Sequence, residues 1–511
     1  MTSNNEEPKE VDWLIMLYMA GDNNLDHEMV HSLQFLLDVG FFGEDGIVAE
    51  FDSSQPGLPT RRYDFTEKKG DRLKCYLAPD DEQGEKEAST GNPETLESFL
   101  EWAEGKYKPQ RRILILSGHG SGTTEDFLMV DENADDFLSI DELKEALENS
   151  GYKDGNIKLD IIGMDACYMS MAEVCYELRE QAEILIGAEG LEPEFGWPYS
   201  KILRRIHEKR TSKGSALTPE EAATVLVKEY VEHYSAHDMS VDLAAIQLSK
   251  MEELKGEFES LVKKLSTQPV EYNKLITAHW RAQTYKSDQF VDLKDLCDQI
   301  EHVGFNSDVK DAAGAIVQQL LDTVILSGCS GFAYQWSHGL SLYFPWAFVS
   351  PDYMNMDFAE GTGWDDLIKV IVEQTRREPR YAPKSEDPLT PVRKDELARA
   401  CAKVCSNRAA RAPYLKRGVG GLLVGVRNRV GRFFDRYEAD HVYVSDTLES
   451  VTSGFLKIGR YETGSRYTRK KRYTRKKRYL LESRHPEDRE MAIKNFAPVT
   501  GVEWWPQPPP P

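Results

Sequence analysis

The fold is decided by two stretches, Leu114–Gly120 (LILSGHG) and Leu159–Cys167 (LDIIGMDAC), which share one pattern. Each is an apolar run of strand length that stops at a turn of small residues, and the two turns carry His119 and Cys167. In open parallel α/β sheets, reactive groups gather where the strands reach their carboxyl ends. If the two strands are neighbours, an imidazole lies beside a thiol, which is the minimum machinery of a cysteine peptidase.

The order and spacing of His119 and Cys167 favour this catalytic interpretation. The histidine stands 48 residues before the cysteine, and a caspase-type order places it about 50 residues upstream. Taken singly, such a cysteine is usually a small buried apolar residue, and such a histidine is usually a turn residue. Together they predict a Cys-His dyad, with the amides of Gly120 and Cys167 as oxyanion-hole donors. No third residue that would orient the imidazole stands out in the sequence.

Strand and helix patterns alternate along the first half of the chain, which predicts an α/β fold with a mostly parallel sheet flanked by helices. Residues 11–20 have the pattern of a buried strand, and Asp26–Val39 has apolar residues at helical spacing. Ser139 and Glu142 form a capping box at the start of a further helix. Residues 216–330 are mostly helical in pattern, so we expect a helical insertion in the fold.

Composition divides the chain into five segments. We predict a disordered N-terminus at 1–10, a main α/β domain at 11–372, a linker at 373–392, a basic C-terminal region of unknown role at 393–503 and a Trp/Pro-rich tail of polyproline II type at 504–511.

The net charge of −23 conceals a strong asymmetry between the body and the C-terminal region. Residues 391–511 hold 26 Lys and Arg against 13 Asp and Glu, a net +13, which leaves −36 on the rest of the chain. The tandem repeat Arg466–Arg478 (RYTRKKRYTRKKR) interleaves basic and aromatic residues, as in proteins that bind nucleic acid or an anionic surface. A solvated charge run is the simpler interpretation of this repeat.

The number of cysteines and the N-terminal sequence indicate the cellular compartment of the protein. Seven scattered cysteines argue against a disulfide scaffold and suit a reducing environment. The polar start MTSNNEEPKE has no basic region followed by an apolar stretch. No apolar run reaches the roughly 18–20 residues of a membrane span. These features predict a cytoplasmic protein without a membrane span.

Several segments resemble the clostripain-like cysteine peptidases, a family with a caspase-type fold. The similarity covers roughly residues 11–370, and the segments that carry it are Trp13–Asn24, Thr90–Pro93 with Leu96 and Phe99, His119–Gly122, Asp165–Cys167 with Met169, Met171 and Glu173, and Gly339–Pro345. The resemblance implies a caspase-like sandwich and a cysteine endopeptidase that cleaves after Arg or Lys. Two other interpretations compete with it: an inactive caspase-fold adaptor, and a protein that binds nucleic acid or an anionic surface through its basic tail.

The resemblance also implies an acidic S1 pocket that receives the basic P1 side chain at Asp165. A carboxylate can bind arginine as a bidentate pair, whereas the alternative role of Asp165 is to cap the helix that follows. Glu189, Glu192 and Glu194 are the candidates for a second pocket acid, and the sequence does not choose among them. The expected partners are a protein or peptide with a basic P1 residue and, because opposite charges attract, the chain's own basic tail.

An acidic loop before Ser139 partly matches the calcium-loop pattern, although Asp136 stands where the pattern requires glycine. The candidate ligands hold positions 1, 3, 5 and 12 of the pattern: Asp131, Asn133, Asp135 and Glu142. A plain acidic loop that leads into a capped helix is the simpler interpretation. The expected chemistry requires no cofactor, and calcium stays a candidate because part of the resembling family is activated by it.

Overall fold

A ten-stranded sheet organises the computed structural model of the protein. The structure describes residues 7–377, with gaps at 40–44, 56, 70–71, 78–87, 124–127, 154–155, 238, 268–271, 287–288, 332 and 346–348, and residues 390–393, 441–444 and 502–506. The strands, numbered along the chain, are β1 (Lys9–Gly21), β2 (Gly46–Ser53), β3 (Arg61–Lys69), β4 (Arg72–Leu77), β5 (Tyr107–Ser117), β6 (Leu128–Asp131), β7 (Asp136–Leu138), β8 (Leu159–Asp165), β9 (Ala182–Gly187), β10 (Val241–Gln247), β11 (Thr284–Tyr285), β12 (Phe290–Asp292), β13 (Val324–Ser330), β14 (Ser341–Tyr343), β15 (Thr390–Arg393), β16 (His441–Val444) and β17 (Val502–Trp505).

Helices cover both faces of the sheet. They are α1 (Asp26–Val39), α2 (Pro93–Lys106), α3 (Ile140–Asn149), α4 (Ala172–Glu177), α5 (Tyr199–Lys213), α6 (Pro219–Ser235), α7 (Met251–Ser266), α8 (Tyr272–Arg281), α9 (Leu293–His302), α10 (Ser307–Thr323), α11 (Asp357–Thr362) and α12 (Trp364–Arg377). None of the helices in the described ranges is long and apolar enough to cross a membrane.

The sheet has the strand order β17-β13-β10-β9-β8-β5-β1-β2-β3-β4. The five strands β2, β1, β5, β8 and β9 run parallel, and the strands outside them on both sides pair antiparallel. Ser117 at the end of β5 stands opposite Asp165 at the end of β8 and next to Met19 of β1. The loops that follow these three strands therefore meet at one edge of the sheet.

Alternating side chains of β1 show how this arrangement is stabilised. Leu14 and Met16 are buried in the core on one face of the sheet, and Ile15 and Leu17 in the core on the other. A parallel sheet covered on both faces requires strands that are apolar almost throughout, as β1 is. Each such large side chain contributes about 1.5–3 kcal/mol to folding when fully buried, so the strands that carry the site are anchored in both cores.

The expected mostly parallel α/β sheet flanked by helices is confirmed, together with helix α1 and the Ser139–Glu142 capping box. The predicted insertion at 216–330 is helical, but it also supplies β10 and β13 to the central sheet.

The predicted segment boundaries need correction at both ends. Strand β1 begins at Lys9, so residues 9 and 10 are ordered, and α12 continues to Arg377, inside the expected linker. Residues 390–393 pair with 441–444 in a two-stranded antiparallel sheet. Most of the basic region, including Arg466–Arg478, lies outside the described residues.

The polyproline II prediction for the start of the Trp/Pro-rich tail is wrong. Val502–Trp505 forms β17, which pairs antiparallel with β13 at the edge of the central sheet. Its alternating side chains pack against both cores, Trp504 on one face and Trp505 on the other. Partial burial of two indoles outweighs the preference of the following prolines for an extended, solvated chain.

Candidate active site

A cleft of about 70 Å³ opens at the carboxyl ends of β5 and β8. It brings together His119, Cys167, Asp165, Glu192 and Glu194. Its full lining is Leu25, Glu28, Met29, Ser32, Ser117, Gly118, His119, Asp165, Ala166, Cys167, Glu192, Pro193, Glu194, Phe195 and Gly196. The two strands that carry the dyad motifs are neighbours, as the sequence predicts.

His119 follows β5 and has a partner that the sequence did not reveal. Its Nε2 lies 2.8 Å from Oδ1 of Asn24, in the turn after β1. An amide oxygen only accepts, so this contact places the ring proton on Nε2 and leaves the lone pair on Nδ1. Burial lowers the pKa of His119 below its usual value, while Glu132 and Glu194 act in the opposite direction. The imidazole is therefore held neutral, in one tautomer.

Cys167 lies in a tight turn that only particular residues allow. The next residue, Tyr168, has a φ of 65°, a left-handed backbone conformation that is uncommon for any residue but glycine. A Cβ on Gly120 would lie 2.7 Å from the carbonyl oxygen of Cys167, so glycine is required for the two loops to touch. The backbone N–H of Glu192 donates to the sulfur over 3.3 Å, a contact that favours a thiolate.

Asp165 and Glu192 form a carboxyl pair on the cleft wall, which we call the cleft acids. Oδ2 of Asp165 accepts hydrogen bonds from the hydroxyls of Ser117 (2.8 Å) and Tyr199 (2.5 Å). Burial raises the pKa of both carboxyl groups. The charge of Asp165 and a hydrogen bond with it raise the pKa of Glu192 further, well above its usual value. The pair therefore keeps a proton to higher pH than ordinary carboxyl groups do.

The helix-capping alternative for Asp165 is not borne out. Helix α4 begins at Ala172 with Met171 at its N-cap position and no side-chain cap. Gly196 instead closes over Asp165, because a Cβ on Gly196 would lie 2.7 Å from Oδ2 of the aspartate. Its φ of 63° also favours glycine. The backbone of the loop thus seals one side of the carboxylate.

Of the other two candidate pocket acids, Glu194 lies at the cleft rim and Glu189 does not line the cleft. Glu194 is exposed and raises the pKa of His119 through its charge. Glu189 is fully buried behind the nucleophile, where its Oε1 accepts from the N–H of Gly339 over 2.7 Å. It belongs to a second group with Asp242 and Asp292, which we call the core acids.

The candidate calcium ligands do not converge. The Oε2 atom of Glu142 accepts from both the N–H and the hydroxyl of Ser139, each over 2.8 Å, in the capping box. Asp131 is turned inward, where its carboxylate lies within 4.8 Å of those of Asp22 and Asp52. The set Asp131, Asn133, Asp135 and Glu142 thus does not fit a calcium loop, because its last ligand is engaged elsewhere. Calcium dependence stays a prediction.

Comparison with known proteins agrees with this geometry, since the model of the clostripain family of peptidases matches residues 17–370. The chain belongs to the clostripain family. Clostripain of Hathewaya histolytica is 24% identical over 416 residues, which cover 68% of this chain and 77% of that protein. Family membership makes this protein a cysteine-type peptidase, as the dyad motifs predicted.

Two solved structures of clostripain-type (C11) proteases share the fold. A secreted C11 cysteine protease from Bacteroides thetaiotaomicron, in complex with an irreversible peptide inhibitor, superposes with a TM-score of 0.53 and 17% identity, over 70% of this chain and 99% of that one. An inactive zymogen C11 protease from Parabacteroides distasonis gives 0.51 and 17%, over the same 70% and 99%. The caspase-like sandwich expected for this clostripain-family chain is thereby confirmed.

Proposed function

We propose that this protein is an endopeptidase that hydrolyses the peptide bond after Arg or Lys, with Cys167 as nucleophile and His119 as general base. One observation supports the proposal above all others. A single cleft holds the thiol, a neutral imidazole and the cleft acids, Asp165 and Glu192. A nucleophile, a base and a receptor for a cation are the three groups that such a reaction needs.

The tautomer of His119 fits the role of general base. With the Nε2 proton donated to Asn24, Nδ1 takes the thiol proton of Cys167 as the sulfur attacks the substrate carbonyl carbon. The oxyanion that forms accepts hydrogen bonds from the backbone N–H groups of Gly120 and Cys167. Nδ1 then returns the proton to the leaving amine, and water hydrolyses the acyl-enzyme to restore the thiol. Asn24 acts as a positioning residue that keeps the ring in this tautomer.

The cleft acids support the proposed preference for a basic P1 residue. A guanidinium that reaches Asp165 and Glu192 favours ionisation of both, so substrate binding releases the proton that the pair shares. A neutral side chain would leave the pair protonated and gain no such interaction. The exposed ring of Phe195 (65% exposed) flanks this entrance and offers apolar surface to the neighbouring substrate residues.

The decisive experiment is active-site labelling with an arginine-based chloromethyl ketone. The wild type should be labelled at one site, and Cys167→Ala should not be labelled. Cys75→Ala is the matched control, because Cys75 is an exposed free thiol away from the cleft, and it should label like the wild type. His119→Ala should lose at least about a hundredfold in turnover of Arg-P1 peptides, since removal of a base typically costs more than that. Labelling that persists in Cys167→Ala would reject the assignment, and an aspartate-based analogue that labels equally well would reject the P1 specificity.

We also propose that the basic C-terminal region, residues 393–503, competes with substrate for the acidic cleft. The body carries −36 and residues 391–511 carry +13, and tethering gives the segment an effective concentration of about millimolar. Deletion of residues 445–497, which keeps Val502–Trp505 in place, should lower the KM for Arg-P1 peptides. The difference should shrink at high salt, where charge attraction is screened. Equal KM values at low salt would exclude this contact.

A further inference from the structure

The last described strand of the chain, β17, closes one edge of the central sheet. It pairs antiparallel with β13, with Trp504 opposite Gly328 and Trp505 opposite Ser327. Between the end of α12 at Arg377 and the first residue of β17 stand 124 residues. The strand is therefore joined to the domain by a very long connection and held there by its own contacts.

The seat of Trp504 is shaped for an indole. A Cβ on Gly328 would lie 2.3 Å from the Trp504 ring, so the ring occupies the space that any other residue at position 328 would fill. The ammonium group of Lys228 lies 5.9 Å from the ring centre, within range of a cation–π contact. The edge of β13 thus selects a particular side chain in addition to pairing with a backbone, as strand-accepting grooves do.

Trp505 contacts a different set of residues on the other face of the sheet. Its ring meets that of His338 edge-on, with the ring centres 5.6 Å apart, and Lys294 lies 5.9 Å from its centre. The carboxylate of Asp292 accepts from the backbone N–H of His338 over 2.6 Å, and its other oxygen lies 3.1 Å from Nδ1 of the same histidine. Trp505, at the end of β17, therefore contacts a histidine that is bound to the core acid Asp292.

A series of hydrogen bonds connects the core acids to the turn that carries Cys167. Glu189 lies close enough to Asp292 for their charges to interact, and its Oε1 accepts from the N–H of Gly339 next to His338. The N–H of Glu189 and that of Gly190 donate to Asp242, and the carbonyl of Gly190 accepts from Tyr168, next to Cys167. Two residues on, the N–H of Glu192 reaches the Cys167 sulfur. Contacts are thus continuous from Trp505 to the thiol.

We propose that the edge of β13 is a peptide-binding groove whose ligand is the chain's own Val502–Trp505 strand, and that docking of this strand positions the nucleophile turn through His338. The strand stays bound when the connection before it is cut, because its pairing and its two indole seats do not depend on that connection. The groove is filled in cis, since tethering favours the chain's own strand over that of a second copy.

The first test measures binding in trans with full-length chains. A labelled synthetic peptide of residues 499–511 should bind the Trp504→Ala chain at least tenfold tighter than the wild type, whose groove is already filled. Glu503→Gln is the matched control, because it keeps both indoles, and it should exclude the peptide as the wild type does. A peptide of scrambled sequence should bind neither chain. Equal binding to Trp504→Ala and wild type would overturn the groove.

The second test measures activity, and this arm rests on the proposed peptidase function whereas the binding arm does not. Trp504→Ala should lower kcat for an Arg-P1 peptide severalfold with little change in KM, and saturation with the 499–511 peptide should restore it. Recovery in trans separates positioning from a general loss of stability. Peptide that binds without restoring kcat would refute the link to the nucleophile turn.

Two further outcomes concern the cis arrangement. A site for an unrelated protease, inserted between residues 445 and 497, should give a cut protein whose C-terminal piece co-elutes with the domain in size exclusion. Dissociation of that piece would overturn the proposal. A concentration-dependent dimer of the wild type would show that strands are exchanged between copies and would contradict the cis occupant.

Discussion

The cleft acids and the core acids are two groups of carboxyls that meet in the segment 189–192, which flanks Cys167 and contributes Glu189 to one group and Glu192 to the other. The core acids are held by backbone N–H groups, with Asp242 bound by two of them and Asp292 by those of Asp295 and His338. The cleft acid Asp165 is held by the hydroxyls of Ser117 and Tyr199. Backbone donors are fixed by the fold, whereas hydroxyls rotate toward a new partner. We infer that the core acids secure the structure and the cleft acids stay adjustable for a ligand.

The largest expected effect comes from Asp165→Asn. Loss of one partner of a buried charge pair costs about 2–5 kcal/mol, so kcat/KM for Arg-P1 peptides should fall by about 30-fold or more. Peptides with norleucine at P1 should change little. Glu189→Gln, among the core acids, is the matched control and should leave the ratio between the two substrates unchanged. If both variants changed the ratio of kcat/KM between Arg-P1 and norleucine-P1 peptides by a similar factor, the cleft acids and the core acids would not differ in function.

A second effect concerns the pH dependence of substrate binding. The pKa values of Asp165 and Glu192 are raised, so the pair gains negative charge only as the pH climbs above the usual carboxyl range. The KM for Arg-P1 peptides, relative to that for neutral peptides, should therefore fall as the pH rises. Asp165→Asn should flatten this profile. A ratio of KM values that is independent of pH in the wild type would mean that the pair is already ionised.

The core acids should control stability instead. Glu189→Ala leaves the N–H of Gly339 without its acceptor, and such a loss costs about 1–3 kcal/mol. Denaturant unfolding should show this decrease, with the preference for Arg over neutral P1 residues retained. A changed preference with unchanged stability would assign Glu189 to the pocket.

The same residue predicts a pH effect on folding. The pKa of Glu189 is raised well above its usual value by burial and by Asp292 and Asp242. The folded state then holds a proton that the unfolded state has lost, so stability falls as the pH rises above the ordinary range of glutamate. Glu189→Gln should lose less stability than the wild type over that window in melting experiments at several pH values. Parallel curves would show that Glu189 does not hold the proton.

The smallest effect is expected at the cleft rim. Glu194→Gln removes an exposed charge that raises the pKa of His119, so the acidic limb of the pH–rate profile should move slightly to lower pH. The change should amount to less than about 1 kcal/mol and should vanish at high salt. A large loss that persists at high salt would place Glu194 in direct contact with substrate.

Local patterns sufficed to predict that His119 and Cys167 follow neighbouring strands, because apolar runs that end in small-residue turns mark the ends of parallel strands. Asn24 follows a third strand of the same kind, but its contact with His119 depends on β1 lying beside β5, which strand patterns do not specify. The choice among the three glutamates depends on the path of an irregular loop, which has no period of two or of 3.6 residues. Strand β17 escaped prediction because it has four residues and its partner lies far away in sequence.

Most of the basic C-terminal region lies between α12 and β17, which both pack on the domain, and this arrangement affects how its sequence can change in evolution. The entropy cost of joining two fixed points of a chain grows only with the logarithm of the length between them, about 0.6 kcal/mol for each doubling. One RYTRKK repeat more or fewer changes the 124 residues between α12 and β17 by a small fraction, so it changes this cost little. Selection is then free to tune the number of positive charges near the acidic domain, while the last strand keeps its place.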